Sequence, residues 1–360
     1  MTENVPRTRR DVLKAAGVAA VATTAGCLDG EGDNGDGTGY TIYPIEPGFG
    51  TRLLTETVLR EDGLWDDNDI NNEDTDDIPG AVEEGRVDAL CLYGANQVEL
   101  AGWCQEVDVR SDGQLYLIDV DDQFIDAIEA VPGATLVVQD PYPYEQDVTS
   151  HLGIDSDVVH WALQGQWAFG EDVHPDAVYE MARIALEHHD TLRESDPTTL
   201  EYTPEVMTEV LMPDVPVHPG MVEFYEDQGV WDSGEWEEGE ADAEEEDEYT
   251  ITIAGTASGS STQAAAQALA RGASEHSDLL TIDVQESEGW TGNLYDFDAG
   301  DFSTIGVDNN SWSAAINEET PFDDDPVDEL PQQGFLFTSL EMHWVAMEGS
   351  DIESTADLRV

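Results

Sequence analysis

At 360 residues the chain has room for about two domains, and 12 basic against 81 acidic residues set a net charge of −69. That charge repels DNA, RNA and anionic membrane surfaces and excludes nucleic acid as a partner. A 40% hydrophobic content with 9 Trp and 11 Tyr excludes a disordered acidic chain.

In chain order, the first segment is "TRRDVLKAAGVAAVATTAGC" (8–27), which pairs Arg9 and Arg10 ahead of a short Ala/Val run and small residues before Cys27. It resembles a twin-arginine export signal joined to a lipobox, with cleavage before Cys27 and lipid on its thiol. The apolar run at 15–25 is too short to span about 30 Å of hydrocarbon. Residues 1–26 are thus expected to be a signal peptide and 27–39 a Gly/Asp tether. From Tyr40, "YTIYPIEP" alternates as a strand, "GFGT" turns, and "RLLTETVLREDGL" has helical spacing until Gly63 stops it. "DDIPGAVEEGRVDALCLYG" (76–94) reads as a short helix and a buried strand at 87–92, and "DAIEAVPGATLVVQ" as another helix and strand. A Tyr/Pro-rich passage follows Pro141, then an apolar strand at 158–163 and helices at 176–187 and 204–211. The acid tract 235–248 breaks the composition and reads as a solvated, self-repelling linker. Beyond it "YTITIAG", "LLTIDVQES" and "FSTIGVDNN" are strands, and "STQAAAQALARGASEH" is a helix. Strands alternating with helices predict an α/β fold, with ligands bound beyond the carboxyl ends of the strands.

Those ends supply the candidate site. "GTASGSST" (255–262) leaves a strand and opens a helix, so Ser258, Gly259, Ser260, Ser261 and Thr262 offer amides and hydroxyls to an anion, or merely cap the helix. "EPGFGTR" (46–52) repeats the pattern with Gly50, Thr51 and Arg52. Gly94, Asn96, Asn309 and Asn310 stand at two further exits. Arg52 draws notice because cations are so scarce; its guanidinium either grips a carboxylate bidentately or forms a surface ion pair. H-E-x-x-H, G-x-S-x-G, P-loop and Cys-pair motifs are missing, so no enzyme activity, metal or cofactor is expected. His188 and His189 are adjacent on a helix and point different ways. Cys91 and Cys104 are either a disulfide or, in the blander reading, buried thiols.

The spread of acids resembles that of proteins from extreme halophiles. The segment "YTITIAGTASGSSTQAAAQALA" resembles the opening of the TAXI family, the solute-binding proteins of TRAP-type transporters, and the likeness runs on through "SEGWTGNLYDFDAGDFSTIGVDNNSW" (287–312). "YTIYPIEPGFGTRLLTETVL", "GAVEEGRVDALCLYGAN", "DPYPYEQDV" with Tyr144, and "PVHPGMVEFYEDQGV" (216–230) resemble that family's second part. The order is rotated: residues 249–360 look like the first part and 40–231 like the second. The resemblance implies a two-lobe periplasmic-binding-protein-like (type II) fold with mixed, mostly parallel sheets, circularly permuted. Its lobes fall at 40–147 and 148–349, the second interrupted by 235–248, with 350–360 crossing back. It implies a monomeric, lipid-anchored, extracytoplasmic protein that hands a small organic acid or amino acid, glutamate-like in leaning, to a TRAP permease. A cell-surface receptor using the same fold without transport is the alternative. Thr262 and Gln263 stand where the family carries an aromatic pair.

Overall fold

A computed structural model describes residues 39–47, 49–139, 142, 144, 158–213, 215–256 and 260–359. Cys27, Arg9, Arg10, Ser258 and Gly259 lie outside the described residues. The first lobe contains β1 (Thr41–Tyr43), α1 (Gly50–Asp62), α2 (Leu64–Asp67), β2 (Asp69–Ile70), α3 (Ile78–Glu83), β3 (Ala89–Ala95), β4 (Glu99–Leu100), α4 (Gly102–Arg110), β5 (Leu115–Leu117), α5 (Asp122–Ala130) and β6 (Ala134–Gln139). The long β7 (Val158–Phe169) leads out of it. The second lobe follows with α6 (Pro175–Glu187), α7 (His189–Ser195), α8 (Pro204–Thr208), α9 (Pro219–Gln228), β8 (Tyr249–Ala254), α10 (Ser261–His276), β9 (Leu280–Gln285), α11 (Trp290–Asp298), β10 (Thr304–Asp308) and α12 (Asn309–Ile316). The chain returns along β11 (Gln332–Met347) and ends in a 3₁₀ turn, Thr355–Leu358.

Local chemistry explains the ends of these elements. Gly63, at φ 99°, stops α1 with its N–H on the Leu59 carbonyl, as a left-handed C-cap does. Ser260 caps α10 by accepting from the Gln263 amide, and His218 caps α9 ahead of Pro219. That capping role, with His218 Nε2 also 3.0 Å from the Val173 carbonyl, leaves His218 a structural residue. His188 stacks on His276 with ring centroids 3.8 Å apart.

The strands form one mixed sheet in the order β2-β1-β3-β11-β7-β10-β8-β9, with β4 on β3, β5 on β11 and β6 on β7. Parallel pairing is confined to the outer strands, β2-β1-β3 and β10-β8-β9; the centre is antiparallel. Each end packs its own cores. Leu54, Val58, Phe124, Trp161 and Trp344 centre one in the first lobe, and Met181, Phe224, Tyr225, Ile253 and Leu269 one in the second. Each large apolar side chain so buried contributes about 1.5–3 kcal/mol.

Two strands join the lobes. The first half of β7 pairs with β6, and its second half with β10. β11 runs the other way: Gln332 opposes Phe169, while residues 340–346 pair with β3. The chain therefore re-enters the first lobe within β11, ahead of the 349/350 boundary expected from sequence. A 16-residue strand reaches roughly 50 Å, long enough to serve both lobes. Register shifts between Gln333 and Leu336, and between Leu336 and Thr338, bend β11 where it changes lobe.

A further difference concerns the acid tract. The tract's side chains are mostly exposed, yet its backbone is strapped down: Gly239 N–H donates to the Val217 carbonyl and Gln332 Nε2 to the Glu240 carbonyl. Backbone groups find partners on the second lobe while the carboxylates stay in water. One side chain ties two segments far apart in sequence: Asn68 Oδ1 accepts from Tyr40 N–H at 3.2 Å, and Asn68 Nδ2 donates to the Leu358 carbonyl at 2.9 Å. Cys91 and Cys104 are buried free thiols, and burial pushes both thiol pKa values up.

Candidate functional site

β3 leaves the first lobe at Ala95, opposite Leu340 of β11, and β10 leaves the second at Asp308, opposite Gly165 of β7. Beside these exits Gly165 faces Thr338. A Cβ on Gly165 would sit 2.9 Å from Thr338 Cγ2, 3.0 Å from Phe337 Cζ and 3.1 Å from Trp290 Cζ2, so the close approach requires glycine. Trp290 opens α11 and packs against the main cores of both lobes. Its indole N–H donates to Thr262 Oγ1 at 2.9 Å, which joins Trp290 to the first turn of α10. Thr262 and Trp167 both lie beside Gly306 of β10, at 2.7 and 3.2 Å from its would-be Cβ. From the first lobe, Gly50 brings the start of α1 to within 3.3 Å of Leu163 Cδ2 by the same measure. Leu163 and Gly165 share one face of β7.

Most of the residues expected from sequence are at this junction, in different roles. Thr51 is 3% exposed and its Oγ1 has no hydrogen-bond partner; the same holds for Thr338 Oγ1 at 1% and Trp167 Nε1 at 0%. Phe49 provides no side-chain cap to α1, so the first-turn amides of that helix lack one partner they usually have. Ser260 bonds Thr256 as well as capping α10, and Ser261 is half-buried beside it. Asn309 is consumed internally, accepting from Gln166 Nε2 at 2.8 Å and donating to the Val210 carbonyl at 2.8 Å. The Asn310 backbone lies against Gly133 of the first lobe, closer than a Cβ allows. Asn96 is an interlobe strut: Nδ2 donates to the Thr198 carbonyl and Oδ1 accepts from Ser339 N–H, both at 2.7 Å.

Arg52 is placed otherwise than the carboxylate grip requires. It is 5% exposed, and donates to the Ile45 carbonyl at 2.6 Å, Asn72 Oδ1 at 2.9 Å and Glu56 at 3.3 Å, with Trp65 under its guanidinium. Helical periodicity turns position 52 inward, and a buried guanidinium must find acceptors. Tyr144 bonds His343, and Gly94 lies under the Tyr142 ring, on the face of β3 and β11 that holds a second polar cluster. There Tyr142 donates to Glu341 Oε2 at 2.5 Å and accepts from Gln97 N–H at 3.2 Å. Burial pushes the Glu341 carboxyl up to about 7 and the His160 imidazole down to about 3.

Sequence reasoning missed Trp290, Gly165 and Thr338. An isolated glycine inside "WALQGQWAF" was a readable sign of close backbone approach. Trp290 follows a strand exit through Gly289, the same rule that found the other turns. A cavity of about 370 Å³ lies elsewhere, at the entry ends of β8 and β10, lined by Asp172, His174, Glu244, Glu246, Tyr249 and Asp301. Among the described residues no group of three or more His, Cys, Asp or Glu is placed to hold a metal ion.

The structure is thus two α/β lobes on one shared sheet, with uncharged polar groups gathered where two strands cross between them. Residues 32–229, more than half of the chain, match the NMT1-like family, and the protein belongs to that family. No curated protein matches it. Among solved structures, it is similar to a phosphate-binding protein of a phosphate ABC transporter from Streptococcus pneumoniae TIGR4, with 11% identity, 89% of this chain and 94% of that one covered, and a TM-score of 0.39. A binding component of an ABC phosphonate transporter from Pseudomonas aeruginosa is similar at 8% identity, 89% and 72% coverage, and a TM-score of 0.32. The periplasmic murein tripeptide-binding protein MppA in its unliganded open form is similar at 8%, 81% and 56%, and 0.33. Likeness at this level carries nothing about the ligand.

Proposed function

We propose that the protein is an extracytoplasmic, lipid-anchored solute-binding protein that captures a small solute between its lobes and delivers it to a TRAP-type permease. The observation that carries the reading is the meeting of one strand exit from each lobe, Ala95 of β3 and Asp308 of β10, beside Gly165 and Thr338 of the two strands that pass between the lobes. Such a link permits closure about a hinge. The TAXI resemblance supports the transporter type, and the segment ending in Cys27 supports export and anchoring. The family match stops at residue 229, within two residues of the point where the motif order breaks, which supports the rotated order. The organic-acid leaning drew its cation from Arg52; with that side chain turned inward, a carboxylate would have Thr51 and the first amides of α1 as partners.

The test is a thermal-shift screen of organic acids, amino acids and polyols at molar KCl. A solute at 100 times its Kd adds about 2.7 kcal/mol of stability. A chain whose melting no small solute moves is not a capture protein.

A further inference from the structure

We infer that the captured solute carries no net negative charge and is a small hydroxyl- or amide-bearing molecule with a flat face; this rests on the solute-capture reading. A bound carboxylate is ordinarily met by a fixed cation. Each of the eight arginines from Arg52 to Arg359 already pairs with a carboxylate of its own chain. The other four basic residues precede Cys27.

The groups that do face the junction suit another chemistry. Thr51 Oγ1 and Thr338 Oγ1 are buried hydroxyls without partners, able to donate or accept as a ligand hydroxyl or amide requires. Trp167 adds an unpartnered indole N–H. Trp290, half-buried over Gly165 and touching both cores, offers a ring face whose quadrupole repels anions and accepts the weakly polar face of an uncharged molecule. The open first turn of α1 gives N–H donors that a neutral oxygen accepts equally. One helix end, screened by salt, does not replace a cation.

The full chain, purified at molar KCl, is titrated calorimetrically with matched probes: succinate and succinamide, glutamate and glutamine, gluconate and glucose. The expected result is that the uncharged member of at least one pair binds about tenfold or more tighter than its acid. Trp290→Ala should abolish that binding and Trp290→Phe should retain it, with native circular dichroism in both. An acid binding tighter than its uncharged partner overturns the inference and leaves the capture reading standing. Binding by neither member of any pair overturns both.

Discussion

Glu341→Gln should reverse a pH-dependent loss of stability that the wild-type fold carries at its centre. Glu341 lies on β11 between Ala162 of β7 and Gly94 of β3, 1% exposed. It is met by the Tyr142 hydroxyl, with Ser339 beside it and His343, His160 and Tyr144 packed around that tyrosine. Burial raises its pKa from an ordinary 4.5 to about 7. A carboxyl raised on folding favours the native state below its unfolded pKa and ceases to do so as pH climbs through the folded one. The loss accrues between 4.5 and about 7 and amounts to about 3 kcal/mol. His160, lowered by burial to about 3, and His343, lowered likewise, act oppositely, costing stability as pH falls below 6.5. The wild-type curve therefore mixes two signs, and the difference between variant and wild type isolates Glu341. Glutamine keeps an acceptor for Tyr142 and cannot ionise. Urea unfolding at molar KCl should show the variant gaining about 3 kcal/mol on the wild type between pH 4.5 and 8. A difference that stays flat across that range would mean that Glu341 is hydrated or paired, and the reasoning fails.

Three further substitutions probe the junction. Arg52→Ala should cost about 2–3 kcal/mol of folding stability through its lost charged hydrogen bonds, with solute affinity changed little; affinity loss without instability would return Arg52 to the site. Asn96→Ala removes the strut to Thr198 and Ser339 and strains a residue at φ 56°, so unfolding should be easier by about 1–3 kcal/mol. An unchanged urea midpoint would show that the strut is idle. Gly165→Ala should destabilise by about 1–3 kcal/mol through contacts with Thr338, Phe337 and Trp290 and shift tryptophan emission. Unaltered emission and melting would mean that the junction is loosely packed.

The α/β alternation was legible where one face of each element meets water. β8 and α10 lie where "YTITIAG" and "STQAAAQALARGASEH" put them, because their apolar spacing differs cleanly. β11 was not legible. All but one of its 16 residues are buried, so "QQGFLFTSLEMHWVAM" has no polar face to set a period. β7 runs six residues past the expected end at 163 for a related reason: Gln164 and Gln166 look like an exit, yet both are buried and bonded to Thr135 and Asn309. The site divides in the same way. Strand exits can be read from glycines and caps, and Gly50, Thr51 and Thr262 do lie at the strand-to-helix turns that face the junction. Side-chain direction cannot, so scarcity alone pointed to Arg52 as a ligand group, and the turn at Gly289 marks a strand exit without showing that Trp290 reaches both cores.

The rotated order of motifs leads to the strongest rearrangement test. If the chain is a permuted relative of its family, its present ends should join without strain, and a new start should be tolerated in the acid tract. For the first condition, Asn68 holds Tyr40 N–H and the Leu358 carbonyl at once, so a short linker from residue 358 to residue 40 is the one to build. The second must respect the strap: Gly239, Glu240 and Asp242 bond to Val217, Gln332 and Glu171, so the cut belongs after them, between Glu244 and Glu245. Those two side chains are exposed, so opening the chain there removes no core contact. One loop constraint replaces another, and loop-closure entropy varies slowly with length. The rearranged protein should fold in molar salt and bind the same solute within about tenfold, roughly 1.4 kcal/mol. Residues 40–231 alone should not, because they lack β11, which lies between β3 and β7 at the middle of the sheet. Full-affinity binding by that fragment would show the halves to be independent domains, and failure of the joined protein to fold with every linker length tried would refute the permuted order.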